Sequence, residues 1–250
     1  MSDFFMRENA PLSAEEWERL DKVVVQTARQ FLVGRRFVEL AGPFGAGTEV
    51  IPVGVGEDRK YLDMQVIQED FSLFWRDVEA SRKMGVPLEL GPAAMASAKC
   101  AHQEDQMIFD GLWDAAQDSV ALGDWDEPGQ SLQDIVAATE KLVEKDFYGP
   151  FAVVLNPALY AKTQRVARGM GRLVGKLIAD VAEGGMFRSP LLEADRGLVV
   201  SLGVHNFDLA VAQDLVTAYT GNEKLDHHFR VLESLVLRVK RPGAICKLKK

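Results

Sequence analysis

Four histidines and two cysteines are the first places to look for chemistry. His102 is followed closely by Glu104 and Asp105, and a histidine with two carboxylates within four residues could ligate a metal or work as an acid–base pair. On a helix, however, positions two apart point in different directions. The spacing therefore predicts a solvated or interface cluster rather than a metal site. His227-His228 precedes a strand-like run, where successive side chains take opposite faces, so a metal there needs ligands from elsewhere. His205 lies in a turn. Cys100 and Cys246 are far apart and carry no C-x-x-C spacing; the expectation is two free, buried thiols in a reducing compartment. No cluster of cations stands beside Cys100 to activate it.

Phosphate and nucleophile motifs fare no better. Gly42-Pro43-Phe44-Gly45-Ala46-Gly47 and Gly169-Met170-Gly171 match neither G-x-G-x-x-G nor G-x-x-x-x-G-K-[ST]. Gly34-Arg35-Arg36 follows a helix, whereas a phosphate site wants a helix N-terminus. There is no G-x-S-x-G elbow. No catalytic residue, metal or cofactor is expected, which points to a structural or binding protein.

The elements that would carry such a role begin with a long helix at 92–117. Pro92 suits a first helical position. Ala94, Ala98, Ala101, Asp105, Ile108, Leu112 and Ala116 share one face, and Lys99, Gln103, Gln106, Asp110 and Asp114 lie mostly on the other. Its length of roughly 38 Å, at about 1.5 Å per residue, makes it a spine. Upstream, an arm with Phe4, Phe5 and Met6 is expected to dock on this chain or a neighbour. Ser13 and Glu16 form a capping box. The helix after it carries a stripe of Trp17, Leu20, Val24, Ala28 and Phe31, and Gly34 is expected to end it.

Alternation from Val50 through Leu62, Met64, Val66, Phe71, Leu73 and Trp75 predicts a long two-stranded excursion. After the spine, Ser131 is a candidate N-cap for a helix to Leu142. Buried strands are expected at 151–155 and 198–200, and shorter ones near 207–211 and 216–219. A last long strand carries Phe229, Val231, Leu235, Leu237 and Val239, with Glu233 as the polar exception. Strands and helices mix without a βαβ repeat, so the class is α+β. One lobe, roughly 122–226, is read as inserted into another.

The chain has 250 residues, 47% hydrophobic and 26% charged, enough for a sizeable core. A net charge of −8 argues against a nucleic-acid partner. No basic, apolar leader opens the sequence, and no window approaches a membrane span. A cytoplasmic location is expected.

Several ordered segments together resemble one family. Ala10-Pro11-Leu12-Ser13 with Trp17, then Gly34-Arg35-Arg36-Phe37-Val38-Glu39 and Gly42-Pro43-Phe44-Gly45, are similar to the start of encapsulin shell proteins, the linocin-like bacterial nanocompartment family. Glu104-Asp105 with Ile108-Phe109, Gly149-Pro150-Phe151 with Val153 to Asn156, Leu198-Val199-Val200-Ser201, and Gln213-Asp214-Leu215 with Tyr219 continue the likeness in the same order.

That resemblance implies an HK97 phage-capsid fold and self-assembly into an icosahedral cage around cargo enzymes. The parts implied are an N-terminal arm and helix (1–44), an extended loop (45–70), a peripheral domain with the spine (71–121), an axial domain (122–226) and C-terminal peripheral strands (227–250). The excursion between Gly45 and Phe71 is short for the family, which bears on shell size. Closed symmetry implies 60 subunits or a multiple. The cargo implied is a ferritin-like protein, a dye-decolourising peroxidase or a hemerythrin-like protein, held by a C-terminal targeting peptide. Phe31, Leu32, Arg35, Phe37, Glu39, Leu235 and Leu237 are the residues expected to line the peptide groove. Arg168, Gly169, Met170, Gly171 and Arg172 are expected at a five-fold pore, with the arginines favouring anions. Two alternatives stand: a phage or prophage capsid protein, disfavoured by the early capped helix, and a small homo-oligomeric enzyme using His102 with Glu104.

Overall fold

The computed structural model describes residues 3–167 and 171–250. Among the described residues six α-helices run in order: α1 (Ala14–Phe31), α2 (Trp75–Met84), α3 (Gly91–Ala115), α4 (Gln130–Val143), α5 (Pro157–Thr163) and α6 (Val174–Ala182). Eleven strands accompany them: β1 (Leu40–Ala41), β2 (Val50–Val53), β3 (Lys60–Asp63), β4 (Gln65–Leu73), β5 (Asp118–Ala121), β6 (Phe151–Leu155), β7 (Glu183–Arg188), β8 (Arg196–Ser201), β9 (Phe207–Glu223), β10 (Asp226–Val239) and β11 (Ile245–Lys249).

The strands form a four-stranded sheet β1-β9-β10-β4, a five-stranded sheet β5-β11-β8-β6-β7, and the hairpin β2-β3. Helices α1 and α3 pack with the four-stranded sheet. Trp17, Leu20 and Val24 of α1 meet Cys100, Ile108 and Phe109 of α3 and Phe71, Phe229 and Leu235 of the sheet in one core. The central strands β6 and β8 of the five-stranded sheet are buried on both faces, which is why they read as apolar runs. Val153, Leu155, Val199 and Leu248 face Ile135, Leu142 and Ile178 of α4 and α6. Ala152, Val154, Leu198 and Val200 turn the other way and join the first core.

The capping box forms as expected: Glu16 N donates to Ser13 Oγ at 3.2 Å, and Ser13 N donates to Glu16 Oε2 at 2.7 Å. Phe31, the last member of the expected stripe, is instead exposed. Gly34 does not end α1, which stops at Phe31. Gly34 is there for close approach, since a Cβ would lie 2.6 Å from Ile108 Cδ1. The spine buries a wider face than the spacing implied, with Ala93, Ser97, Cys100 and Glu104 joining it. Ser131 is not the N-cap of α4; Gly129 holds that position, in a left-handed conformation.

The excursion divides. Strands β2 and β3 pair over four residues, Val50 opposite Asp63 to Val53 opposite Lys60. Strand β4 turns away to pair with β10, and Trp75 begins a helix. The hairpin's base rests on its own chain, with Ile51 packed on Ala210 and Val236.

Sheet membership cuts across the 122–226 and 227–250 segments. Strand β9 pairs with β10 and β1, and β11 pairs with β8 and β5. The two short strands expected between 207 and 219 are one strand with register shifts at Ala212 and at Asp214-Leu215. Leu232 faces Val216 and Ser234 faces Gln213, so Asp214 and Leu215 together oppose Glu233. Polar Gln213-Asp214 looks like a loop in sequence, but a bulge re-aims the strand without ending it.

Candidate functional site

Helix α1 ends against the β9 bulge, and a groove of about 370 Å³ lies between them. Val25, Ala28 and Leu32 supply one wall, Leu40 and Leu215 the other apolar surface, and Arg29, Arg35, Arg36 and Asp214 its polar edge. Positions 25, 28, 29 and 32 are three and four apart, so one helix face presents them together. The bulge brings in Leu215 and Asp214.

Beneath the groove, Arg35 binds three carboxylates. Its Nε donates to Glu104 Oε1 at 2.7 Å and its Nη2 to Glu104 Oε2 at 2.8 Å, a bidentate pair. Nη2 also donates to Glu233 Oε2 at 2.9 Å, and Nη1 to Asp214 Oδ1 at 2.8 Å. The Glu104 side chain is 0% exposed and that of Glu233 1%, while Asp214 reaches solvent at 60%. Burial, and then the charge of Glu104, push the Glu233 carboxyl far above the usual carboxylate range. Burial opposes the charge of Arg35, but Glu104 and Glu233 hold the guanidinium firmly protonated. Burial also works against Asp214, yet the hydrogen bond and charge of Arg35 keep it below its ordinary value.

Asp105 does a separate task. Its carboxylate accepts Val33 N at 2.7 Å and Gly34 N at 2.8 Å, which fixes the turn after α1. Burial, opposed by those two bonds, pushes Asp105 up to about 6. Glu104 and Asp105 are therefore buried, contrary to the solvated cluster expected around His102. His102 itself is exposed and does not meet Glu104, whose oxygens are taken by Arg35. This removes the acid–base pair on which the enzyme alternative rested. His227 contacts Tyr219 (Nδ1 to OH, 3.3 Å) and His228 contacts Ser72 (Nδ1 to Oγ, 2.8 Å) on opposite neighbouring strands. Among the described residues no group of three His, Cys, Asp or Glu is placed to hold a metal. Cys100 and Cys246 are free and buried, and burial pushes their thiols up to about 12 and about 11.

Of the seven residues expected at the groove, Leu32 and Arg35 line it. Phe31 points into a different cavity of about 650 Å³, on the other side of the chain's turn. Phe37 is a core residue, stacked on Phe187 at 5.5 Å and Phe109 at 6.4 Å. Leu235 is fully buried, and Leu237 borders a third hollow beside the hairpin. Glu39 is exposed and contributes its carbonyl, which accepts Leu209 N at 2.9 Å. Val25, Ala28 and Arg29 escaped the sequence analysis although their helical spacing to Leu32 was readable. At the expected pore, Arg168, Gly169 and Met170 lie outside the described residues. Gly171 has a positive φ of 61°, and Arg172 pairs with Asp180 at 2.8 Å.

The profile of the linocin family, described as an encapsulating protein for peroxidase, matches residues 1–236. The chain belongs to the encapsulin shell family. It is 42% identical to the type 1 encapsulin shell protein EncA of Myxococcus xanthus, over 99% of this chain and 97% of that one. It is 34% identical to a diheme-cytochrome–encapsulin shell fusion protein of Kuenenia stuttgartiensis, over 95% of this chain and 73% of that one. The fold is similar to a virus-like particle from Pyrococcus furiosus, with a TM-score of 0.82, 17% identity, and coverage of 94% of this chain and 100% of that one. The encapsulin fold here is of the HK97 capsid type. The chain is a shell component rather than an enzyme, and 42% identity to EncA over nearly the full length of both chains decides against the phage-capsid alternative. No helix among the described residues is long and apolar enough to cross a membrane.

Proposed function

We propose that this encapsulin builds an icosahedral cytoplasmic shell of 60 subunits, or a multiple, around a cargo enzyme whose C-terminal peptide lies in the groove between α1 and the β9 bulge. The carrying observation is the groove itself: an apolar trough, open to solvent, edged by three arginines and Asp214. Apolar walls give side-chain pockets to a short peptide, and edge charges fix its register. A targeting peptide binds weakly alone, and many identical sites facing one multimeric cargo turn weak contacts into retention.

The cargo is of the redox or iron-handling class, a ferritin-like protein, a dye-decolourising peroxidase or a hemerythrin-like protein. The family's description as encapsulating a peroxidase and the cytochrome fused to one relative's shell support that class. In the proposed subunit the peripheral domain comprises α1, α3 and the four-stranded sheet. The axial domain comprises the five-stranded sheet with α4, α5 and α6, and the exposed hairpin tip reaches an adjacent subunit. The loop containing Gly171 and Arg172 belongs at the five-fold pore.

The groove is tested by co-expressing shells with a fluorescent protein carrying the C-terminal peptide of the enzyme encoded beside the shell gene. Leu40→Asp, at a groove residue that is exposed, is expected to give intact shells with no fluorescence inside. Wild-type loading by that variant would rule the groove out.

A further inference from the structure

One clasp beneath the groove has a charge count that does not balance. Arg35 offers a single positive charge to Glu104, Glu233 and Asp214. Asp214 is solvated, but the two glutamates are fully enclosed, and a buried carboxylate without a partner is strongly disfavoured. Glu233 Oε1 has no hydrogen-bond partner among the described residues, although Glu233 Oε2 is held by Arg35. Glu104 Oε2 and Glu233 Oε2 accept from the same Arg35 Nη2, at 2.8 and 2.9 Å, and two carboxyl groups that share one site do not both ionise.

The other charged and titratable groups around the pair do not supply the missing cation. Asp105 and Cys100 come from α3, and both Asp105 oxygens are taken by backbone N–H groups. Cys100 is a neutral thiol that donates to Val231 O at 3.6 Å. From β4, Glu69 adds negative charge near Cys100 and is itself engaged by Lys99 and Gln103. Arg29 of α1 acts on Asp214, and Arg36 acts on Asp105.

We infer that Glu104 and Glu233 share one proton, and that this proton is the latch that keeps Arg35, and with it the end of α1 and the β9 bulge, closed beneath the groove. The inference deepens the groove reading, on which its relevance to cargo depends. With the proton in place, one guanidinium faces one buried negative charge and the solvated Asp214. Without it, two enclosed charges compete for Arg35, and water must enter to solvate them. The elements that separate are those that line the groove, because Arg35 and Asp214 are its shared wall. Raising pH therefore loosens the groove while the apolar core beneath stays packed.

The sign follows from linkage: a carboxyl whose proton is held more tightly in the folded state loses stabilisation as pH rises. The experiment is hydrogen exchange read by mass spectrometry on assembled wild-type and Glu233→Gln shells, corrected for the intrinsic pH dependence. Opening coupled to loss of one proton grows about tenfold per pH unit. In wild type the segments 29–38 and 211–217 are expected to follow that slope from the ordinary carboxylate range upward and to level off once the folded-state carboxyl is itself ionised, while α4 and β6 do not. Glu233→Gln keeps a neutral donor and is expected to be flat. An equal slope in wild type and variant, or no slope in wild type, overturns the latch. Where Glu233→Gln shells do not assemble, the infrared band of a protonated carboxyl in wild-type shells reads the same proton. That band must be present at neutral pH and vanish where exchange levels off; its absence at neutral pH also overturns the inference. Normal cargo loading by Leu40→Asp would remove the groove reading and leave the exchange result standing, so the two failures are distinguishable.

Discussion

Arg35 is the residue on which most of the groove's geometry converges, because its fork meets four carboxylate oxygens on three different elements. Truncating it strands two buried acids, and losing one partner of a buried pair costs about 3–5 kcal/mol. Arg35→Ala is therefore expected to lower the melting temperature of the shell sharply or block its production. Arg35→Lys keeps the charge but not the planar fork, and thermal unfolding should place it between the two. A melting temperature for the lysine variant equal to wild type would show that point charge alone suffices. Gly34→Ala is expected to cost about 1–3 kcal/mol, the usual range for overpacking, since its Cβ would collide with Ile108 and Asp105. At this scale the sequence was half legible. Helix geometry correctly sent His102, Glu104 and Asp105 in different directions. Spacing carries no information on what covers each direction, so the burial of the two acids was invisible. Glu233 stood out as a polar residue in an apolar strand, yet its partners lie on other elements and no local pattern names them.

Among elements, β9 is the most informative. Two register shifts, at Ala212 and at Asp214-Leu215, together keep Leu209 and Val211 facing the core on one side of the break and Tyr219 on the other. Side chains alternate with a period of two, so removing one residue there would turn half the strand inside out. Deleting Leu215 is expected to abolish soluble shells, whereas replacing Asp214 by Asn should leave assembly intact; electron microscopy of both preparations checks the contrast. The capping box is a smaller term. Ser13→Ala should cost about 1 kcal/mol, visible as a modest fall in the melting temperature. Helices with a strong apolar period and a chemical start signal, α1 and α3, were legible in sequence. The edge strands β5 and β7 were not, because four to six half-buried residues carry too little pattern, and α2 was hidden by alternation continuing from β4.

For the whole molecule the significant surface is apolar and outward. Val50, Val55, Tyr61 and Val66 lie exposed on or beside the hairpin, and apolar patches of this kind mark association sites. Val55→Glu is expected to leave a folded subunit that fails to close into shells, read by sedimentation velocity. Full-sized particles from that variant would exclude the hairpin tip as a contact. The ordered likeness of scattered segments made the fold class legible where no single motif could. The allocation of strands to sheets was not legible, since pairing between distant strands leaves no trace in either strand's own residues.

Strand β11 lies between β5 and β8 in the five-stranded sheet, although residues 118–121 and 196–201 precede it in the chain. During synthesis the earlier strands leave the ribosome well before the one that joins them. A subunit truncated before Ile245 carries an open slot where a strand belongs, with Val199 and Val200 deprived of their neighbour. The order of the strands thus leaves this sheet in two unjoined parts until β11 is in place.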